Sequence, residues 1–262
     1  MVLKGVMHVH STHSYDGKVP LRELKELFVK EGLSFACMTE HSETLTSEAA
    51  AAFVTECRQL SDEHFIFIPG FEVPYKNAHV LHVGTTEFVC QFADAITLKE
   101  WREKASLVVL AHPVRNNFIV DEILEAQIDG VEIWNQQYEG KVTARPRSMQ
   151  LLRTLRKRKP LIATGGLDLH RKEHFGSPAL FVTAAALSET SILSAIKDGL
   201  FSIGNVTTKI EAKADWAPSA AEKRKSFFAI LTIESGKKVN AILANLGVSL
   251  PKSLKRAIRS RV

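Results

Sequence analysis

Cysteine is scarce in this chain of 262 residues, and its three members, Cys37, Cys57 and Cys90, are widely spaced and form no CxxC pair. This odd and sparse set argues against a disulfide framework and favours reduced thiols in a cytoplasmic protein. Long apolar runs are missing too, because none reaches the roughly 18 residues that suggest a transmembrane helix. The start of the chain lacks the basic and apolar regions of a secretory signal. We therefore expect a soluble, cytoplasmic protein.

A strong excess of one charge is also absent. Lysine and arginine number 34 and acidic residues 29, so the formal net charge is +5. This small positive charge is compatible with binding of a phosphorylated substrate or of nucleic acid, and equally with an ordinary solvated surface. No stretch resembles an RRM, KH or OB module, so nucleic acid is not the favoured partner. The basic residues of the last segment favour a solvated tail over a lipid-binding or RNA-binding one; they are Lys252, Lys255, Arg256, Arg259 and Arg261.

Short apolar segments alternate with helical periodicities over the first two hundred residues. Residues 65–68, 130–135 and 179–183 have the composition of strands, and residues 189–197 that of a helix. Such alternation predicts a parallel barrel or an open α/β sheet. We assign residues 1–205 to this α/β domain. We assign residues 206–262 to a C-terminal extension, mainly helical, with one long or two shorter helices near residues 227–246.

A histidine pair separated by one residue, His8 and His10, stands near the start, and Asp16 follows six residues later. In a strand the two histidines point to the same face. Imidazole nitrogens and a carboxylate are ligands for zinc, manganese or iron. More such residues lie at the ends of predicted strands: His41, Glu72, His112, Asp168 and His170. Because the carboxyl ends of parallel barrel strands converge on one face, these residues predict a metal centre there.

Five segments, taken in order, resemble the motifs of the PHP (polymerase and histidinol phosphatase) family. They are HVHSTHSYDG at residues 8–17, TEH at 39–41, GFE at 70–72, AHP at 111–113 and GLDLH at 166–170. The resemblance extends over about residues 5–204. It implies a distorted (β/α)7 TIM-like barrel with two or three divalent metal ions at the carboxyl ends of its strands.

The resemblance also implies nine metal ligands, namely His8, His10, Asp16, His41, Glu72, His79, His112, Asp168 and His170. For the position after Glu72, the spacing favours His79 over His82. Glu40 stands where the family more often has aspartate, and it either orients His41 or lies on the surface.

This ligand set is typical of phosphate-ester hydrolysis, in which paired metal ions activate a hydroxide and stabilise the attacking and leaving oxygens. We expect Glu72 to bridge two ions and assign catalytic roles also to Asp168, His170 and Arg115. Arg115 is either a phosphate clamp or a loop arginine in solvent. His170 or His13 is the candidate acid for the leaving group.

The expected substrate is a small phosphomonoester or nucleotide, with specificity in the loops at Asn77, 116–118 and 136–147. Alternatives are a nuclease that trims nucleic-acid ends and a catalytically silent, metal-stabilised accessory subunit. An amidohydrolase is less favoured, because no carboxylated-lysine centre is evident. The sequence leaves the metal identity, the exact substrate and the oligomeric state open.

Overall fold

The computed structural model describes residues 1–245, which contain twelve strands and eight α-helices. The strands are β1 (Val2–Val9), β2 (Phe35–Met38), β3 (Glu40–His41), β4 (Ile66–Ile68), β5 (Gly70–Tyr75), β6 (Ala78–Val83), β7 (Leu107–Leu110), β8 (Gly130–Asn135), β9 (Ile162–Gly166), β10 (Ala179–Thr183), β11 (Phe201–Gly204) and β12 (Lys209–Glu211). The helices are α1 (Leu21–Lys30), α2 (Ser47–Leu60), α3 (Ala95–Arg102), α4 (Glu122–Gln127), α5 (Gln136–Glu139), α6 (Pro146–Arg156), α7 (Glu189–Lys197) and α8 (Ala220–Asn245).

The strands form two sheets of six strands each, in the orders β12-β11-β10-β1-β2-β4 and β3-β5-β6-β7-β8-β9. The prediction of an α/β chain is confirmed. Within residues 1–245, strand pairing gives these two sheets and no single closed ring. Strand directions are mixed, since β1–β2 and β7–β8 are parallel, whereas β5–β6, β6–β7 and β1–β10 are antiparallel.

Strand β6 departs from the parallel pattern that the alternation of strands and helices predicts. Residues 76–77 form a two-residue connection between β5 and β6, and Lys76 lies in the left-handed region with φ of 53°. A parallel crossover needs about a dozen residues or more, so a connection this short dictates a hairpin.

The two sheets meet along β1. The His10 N–H donates to the Leu169 carbonyl at 2.9 Å, and the Leu167 N–H donates to the Met7 carbonyl at 2.9 Å. At the other edge β2 runs directly into β3, and the Thr39 N–H donates to the Val9 carbonyl at 2.9 Å. Strand β1 therefore carries its two histidines to the line where the sheets join.

Helices α1 and α2 cover the first sheet with periodic apolar faces. Leu21, Leu24 and Phe28 of α1 are buried, and Gly32 follows the helix with φ of 72°, a conformation that favours glycine. Phe53 of α2 is fully buried as well. Burying an aliphatic or phenyl side chain of this kind contributes about 1.5–3 kcal/mol, so these faces fix the helices against the sheet.

Beyond residue 205 the chain adds β12, which pairs with β11, and then a single continuous α8. Of the two arrangements predicted for this segment, the structure has the one long helix, starting earlier, at Ala220. The basic tail with Lys252, Lys255, Arg256, Arg259 and Arg261 lies outside the described residues. No helix within residues 1–245 has the length and hydropathy of a membrane span.

Candidate metal centre

The structure brings all nine predicted ligand residues into one connected cluster, although Glu72 lies within strand β5 and not at a strand end as predicted. Glu72, in the middle of β5, lies at its centre and is 1% exposed. Its Oε2 atom lies 3.1 Å from His8 Nε2, 3.3 Å from His10 Nε2 and 3.4 Å from His41 Nδ1. The other oxygen, Oε1, lies 2.8 Å from His112 Nε2. Each carboxylate oxygen thus faces its own set of imidazoles.

His79 joins this cluster and His82 does not. His79 Nδ1 lies 2.5 Å from Glu72 Oε1. His82 instead donates from Nε2 to the Trp101 carbonyl at 2.6 Å and packs edge-on against Phe92. Burial lowers the pKa of His82 to about 4, so this imidazole is neutral at pH 7.

A second part of the cluster surrounds His170 and Asp168. His170 Nε2 lies 3.1 Å from Asp16 Oδ2 and 3.4 Å from His41 Nε2. The His10 ring stacks on that of His170 and on that of His41, with centroid distances of 4.2 and 4.4 Å, and the three rings form a triangle. Asp168 Oδ1 lies 3.7 Å from His10 Nε2 and links this part to the first.

Three groups in the cluster place one ligand atom per residue within 4.8 Å of one another. The groups are His8–His10–Glu72–Asp168, His41–Glu72–His79 and His10–His41–His170. Glu72, His10 and His41 each belong to two of them. The arrangement therefore offers overlapping sites for more than one ion.

Several buried atoms of the cluster lack a hydrogen-bond partner within the described chain: His10 Nε2, Asp16 Oδ1, His41 Nδ1 and His112 Nδ1. An unsatisfied buried polar atom costs about 1–3 kcal/mol. A divalent cation satisfies imidazole and carboxylate atoms together, and nitrogen and oxygen donors suit zinc, manganese or iron. The residues present therefore fit the expected metal ions.

The charges of the cluster are interdependent. Burial by itself raises the pKa of Glu72, but the charge of His8 and the neighbouring imidazoles of His10 and His112 hold it well below its usual value. Asp168 follows the same pattern, since His8 and His112 lower its pKa against the effect of burial. Both carboxylates are therefore ionised, as metal ligands must be.

The backbone of three ligand residues is strained. His8, His112 and Asp168 have φ of 62°, 23° and 50°, in a region that residues other than glycine rarely adopt. Such conformations cost about 1–3 kcal/mol each and concentrate at functional sites. Here they turn side chains from strand ends towards the cluster.

Sequence reasoning missed Glu132, a buried carboxylate in β8. His8 Nδ1 donates to its Oε1 at 2.9 Å, and the opposite ring nitrogen, Nε2, faces Glu72 Oε2 at 3.1 Å. The backbone N–H of His112 donates to its Oε2 at 2.7 Å. Glu132 thereby fixes the ring orientation of one predicted ligand and the backbone of another. An acid inside an otherwise apolar strand is the signal by which it can be found.

Glu40 also supports the cluster from behind. It is fully buried, so the alternative of a surface role is wrong. It accepts hydrogen bonds from the Ser11 N–H at 2.9 Å and the Ser14 hydroxyl at 2.5 Å. The Ser14 oxygen accepts the His41 N–H at 2.9 Å and lies 3.3 Å from His10 Nδ1. Glu40 thus orients His41 and His10 through Ser14.

The remaining predicted residues lie at or beyond the edge of the cluster. Arg115 is exposed, and no ion pair joins it to a carboxylate in the described part of the chain. Burial raises the pKa of Tyr15 and Tyr138, and the charge of Arg115 opposes both shifts. His13 Nε2 lies 2.8 Å from Glu56 Oε2 on α2, outside the cluster.

This fold and this cluster agree with a family-level match. The PHP domain model matches residues 7–164, more than half of the chain, so the chain belongs to the PHP domain family. The resemblance read from the motifs is thereby confirmed.

One related sequence is named for a phosphatase. A "Probable histidinol-phosphatase" of Thermotoga maritima is 32% identical over 83 residues, which are 32% of this chain and 33% of the relative. The match thus spans about a third of that protein.

Solved structures support the PHP fold. A two-domain protein from Bacteroides vulgatus, described as containing a predicted PHP-like metal-dependent phosphoesterase, superposes with a TM-score of 0.58 at 18% identity, covering 78% of this chain and 64% of that one. The lesion-specific endonuclease PfuEndoQ from Pyrococcus furiosus gives 0.51 at 13% identity, covering 80% and 57%. At these identities the likeness concerns the fold alone, and this chain spans less than two thirds of either protein.

Proposed function

We propose that this chain is a metal-dependent phosphoesterase that hydrolyses a small phosphomonoester or a nucleotide. The observation that carries the proposal is Glu72, whose two oxygens face separate sets of histidines at the centre of the nine-residue cluster. A carboxylate shared in this way is suited to hold two divalent ions side by side. Membership of the PHP family supports the same reaction class.

The nine cluster residues would hold two or three ions of zinc, manganese or iron. When bound, such ions act as Lewis acids that lower the pKa of water and neutralise charge on phosphate oxygens. Glu72 and Asp168 would supply negative charge to that centre, and Glu132 would keep His8 in the required tautomer.

Two residues at the edge of the cluster would contact the substrate. Arg115 would bind phosphate oxygens through its guanidinium, which offers a planar fork of donors and faces no competing carboxylate within residues 1–245. His170, with 15% of its side chain exposed, would either hold an ion through Nε2 or pass a proton from that atom to the leaving oxygen, since one nitrogen cannot do both. Its position in the cluster favours it over His13, which pairs with Glu56.

Residues 1–205 would form the distorted (β/α)7 barrel expected of the family, with residues 206–262 as the extension. The hydrogen bonds between β1 and the segment after β9, and the direct run of β2 into β3, support this interpretation. The sparse, unpaired cysteines favour a cytoplasmic location.

The second candidate function is a nuclease. The similarity of the fold to PfuEndoQ favours it, as does Tyr15, which is 58% exposed beside His41 and suited to stack on a base. The complete cluster argues against a catalytically silent accessory subunit, because clusters of buried titratable residues are typical of active sites.

Hydrolysis assays with two substrate panels test the proposal. The protein is reconstituted separately with manganese, zinc and iron; one panel contains phosphomonoesters and nucleotides, the other oligonucleotides and a model phosphodiester. His112→Ala and Asp168→Ala are expected to abolish phosphate release, whereas His64→Ala, at a surface histidine, is expected to keep it. Cleavage confined to the second panel would replace the phosphatase with the nuclease. Metal binding without turnover on either panel would contradict both.

A further inference from the structure

We propose that Arg145 and Glu139 are positioning residues that set the geometry of the metal centre through Asn135. Neither residue belongs to the nine-residue cluster. The inference rests on the proposed function, because it concerns the same metal centre. It is argued from a chain of contacts that runs from the cluster out to α6.

The chain starts at Asn135, the last residue of β8, which is fully buried. Its Nδ2 atom donates to Glu132 Oε2 at 2.9 Å and to Asp168 Oδ2 at 3.3 Å. A side-chain amide has two N–H donors, so one residue satisfies carboxylates from two different parts of the chain. Asn135 thereby fixes the distance between Asp168, a predicted ligand, and Glu132, which orients His8.

Glu139 holds Asn135 in place. Its Oε2 atom accepts the backbone N–H of Asn135 at 2.5 Å, and the Asn135 Oδ1 atom accepts the Gln137 N–H at 2.9 Å. Both bonds close the short helix α5 onto the end of β8. Glu139 is 2% exposed, and burial raises its pKa to about 8, against the opposing charge of Arg145.

Arg145 is the cation that faces this buried carboxylate. Its Nε atom lies 3.0 Å from Glu139 Oε1, and its Nη2 donates to the Tyr138 carbonyl at 3.3 Å. The Arg145 backbone N–H also donates to the Ile133 carbonyl of β8 at 3.1 Å. Only 12% of the Arg145 side chain is exposed. Within residues 1–245, no other cation forms an ion pair with Glu139.

Removing Arg145 takes away the group that fixes Glu139 Oε1, so the Glu139 side chain is no longer held on that side. Because Glu139 Oε2 accepts the Asn135 N–H, its displacement shifts α5 against the end of β8, and α5 also carries Tyr138, whose ring lies 5.4 Å from that of His112. The disturbance would therefore reach both Asp168 and His112 without a change in any ligand residue. Loss of comparable supporting contacts lowers metal affinity about 10–100-fold.

The test measures metal affinity and steady-state kinetics on the full chain. Zinc and manganese affinities come from competition with a chromophoric chelator, and circular dichroism verifies folding. The variants are Arg145→Met, Arg145→Lys, Glu139→Gln and the double variant Arg145→Met/Glu139→Gln. Arg153→Met is the matched control, since Arg153 forms an ion pair with the exposed Asp215 away from the cluster. Glu234→Gln controls for the second carboxylate near Arg145, 3.8 Å away and 54% exposed.

We expect Arg145→Met to lower metal affinity and kcat about 10–100-fold with little change in KM, and Arg145→Lys to restore part of the loss. The double variant should lose no more than the worse single variant, because both residues act through the same contact. The two control variants should match the wild type. Should Arg145→Met fail to fold, Arg145→Lys and Glu139→Gln decide, each with reduced metal affinity.

Unchanged metal affinity in folded Arg145 and Glu139 variants would overturn the inference, as would additive losses in the double variant. The proposed function fails separately. If the wild type binds metal but hydrolyses nothing, the phosphoesterase proposal is lost, while the metal affinities of the variants still decide the roles of Arg145 and Glu139.

Discussion

Glu132 illustrates how a residue outside the ligand set controls residues within it. Its two oxygens accept from the His8 ring, the His112 backbone and the Asn135 amide. A histidine that binds metal through one nitrogen usually donates from the other, and the acceptor fixes the tautomer. Glu132 provides that acceptor in a fully buried environment, where no water can replace it.

Glu132→Gln should therefore weaken metal binding with the ligand residues intact. We expect a loss of about 10–100-fold in affinity for zinc and manganese, because the amide lacks the charge that favours a donating His8 Nδ1–H. Competition with a chromophoric chelator measures the change. Glu125→Gln serves as control. Glu125, in α4, is also buried, but it pairs with the exposed Arg158 and not with a residue of the cluster. Equal affinities for Glu132→Gln and wild type would refute the role assigned to Glu132.

At this scale the sequence was informative about the residues that form the cluster and much less so about the residues that support them. His8, His41, His112 and the other ligand residues stand in motifs at strand ends, where chemistry and position coincide. Glu132 and Asn135 are recognised through contacts with residues distant in sequence, as in the 124-residue separation between His8 and Glu132. Periodicity and composition carry no information on such pairs.

The β5–β6 hairpin shows how an element selects one of two histidines. In an antiparallel pair, opposite residues point to the same face, and the register pairs Glu72 with Leu81. His79 is two residues from Leu81 and shares its face, whereas His82 is paired with Phe71 on the other face. The register therefore assigns His79 to the cluster and His82 to the apolar layer under α3.

His82 should make the stability of the fold depend on pH. Its pKa is about 4 in the folded chain and about 6.5 when unfolded. Between these values the unfolded chain binds a proton that folded His82 does not, so stability falls as pH falls below about 6.5. The expected loss at pH 5 is about 2 kcal/mol, and His82→Gln should abolish it.

Urea unfolding at pH 7.5 and pH 5 measures this dependence. The difference in unfolding free energy between wild type and His82→Gln should shrink at pH 5, because only the wild type loses the stability that depends on a neutral His82. Titration of the cluster affects both proteins equally and cancels in this comparison. His64→Gln, at a histidine that is 80% exposed, should show no such change. A pH-independent difference for His82→Gln would contradict the buried neutral state of His82.

Elements with a continuous apolar run or a full helical period were predictable, including the short strand β4, and short elements without such a pattern were not. The strands at 130–135 and 179–183 and the helix at 189–197 lie where composition and periodicity predict them. Helix α5, with four residues, and strand β12, with three, are too short for a periodic signal. Yet α5 carries Glu139 and Tyr138, so an element on which the proposed support of the metal centre depends has no sequence pattern that reveals it.

At the scale of the whole molecule, the two sheets join at the cluster, and no single element forms this junction. Ligand residues come from β1, β3, β5 and β6 and from the segments that follow β1, β7 and β9. Folding must be complete before these side chains converge. The alternation of strands and helices predicted the α/β class, but hydrogen bonds between distant segments determine the junction, and local pattern does not encode them.

Metal ions should therefore stabilise the folded chain and bind the unfolded chain weakly. At a free ion concentration of about 100 times Kd, preferential binding contributes about 2.7 kcal/mol. For a protein of this size that corresponds to a rise in Tm of about 5–10 °C. Thermal unfolding of chelator-treated protein, with and without added zinc or manganese, measures the shift.

Glu72→Gln should lose most of this rise in Tm, because its amide no longer supplies two anionic oxygens to neighbouring sites, whereas His64→Ala should retain the rise in full. A Tm that is the same with and without metal in the wild type would mean that the cluster holds no ion under these conditions and would remove the basis of the proposed chemistry.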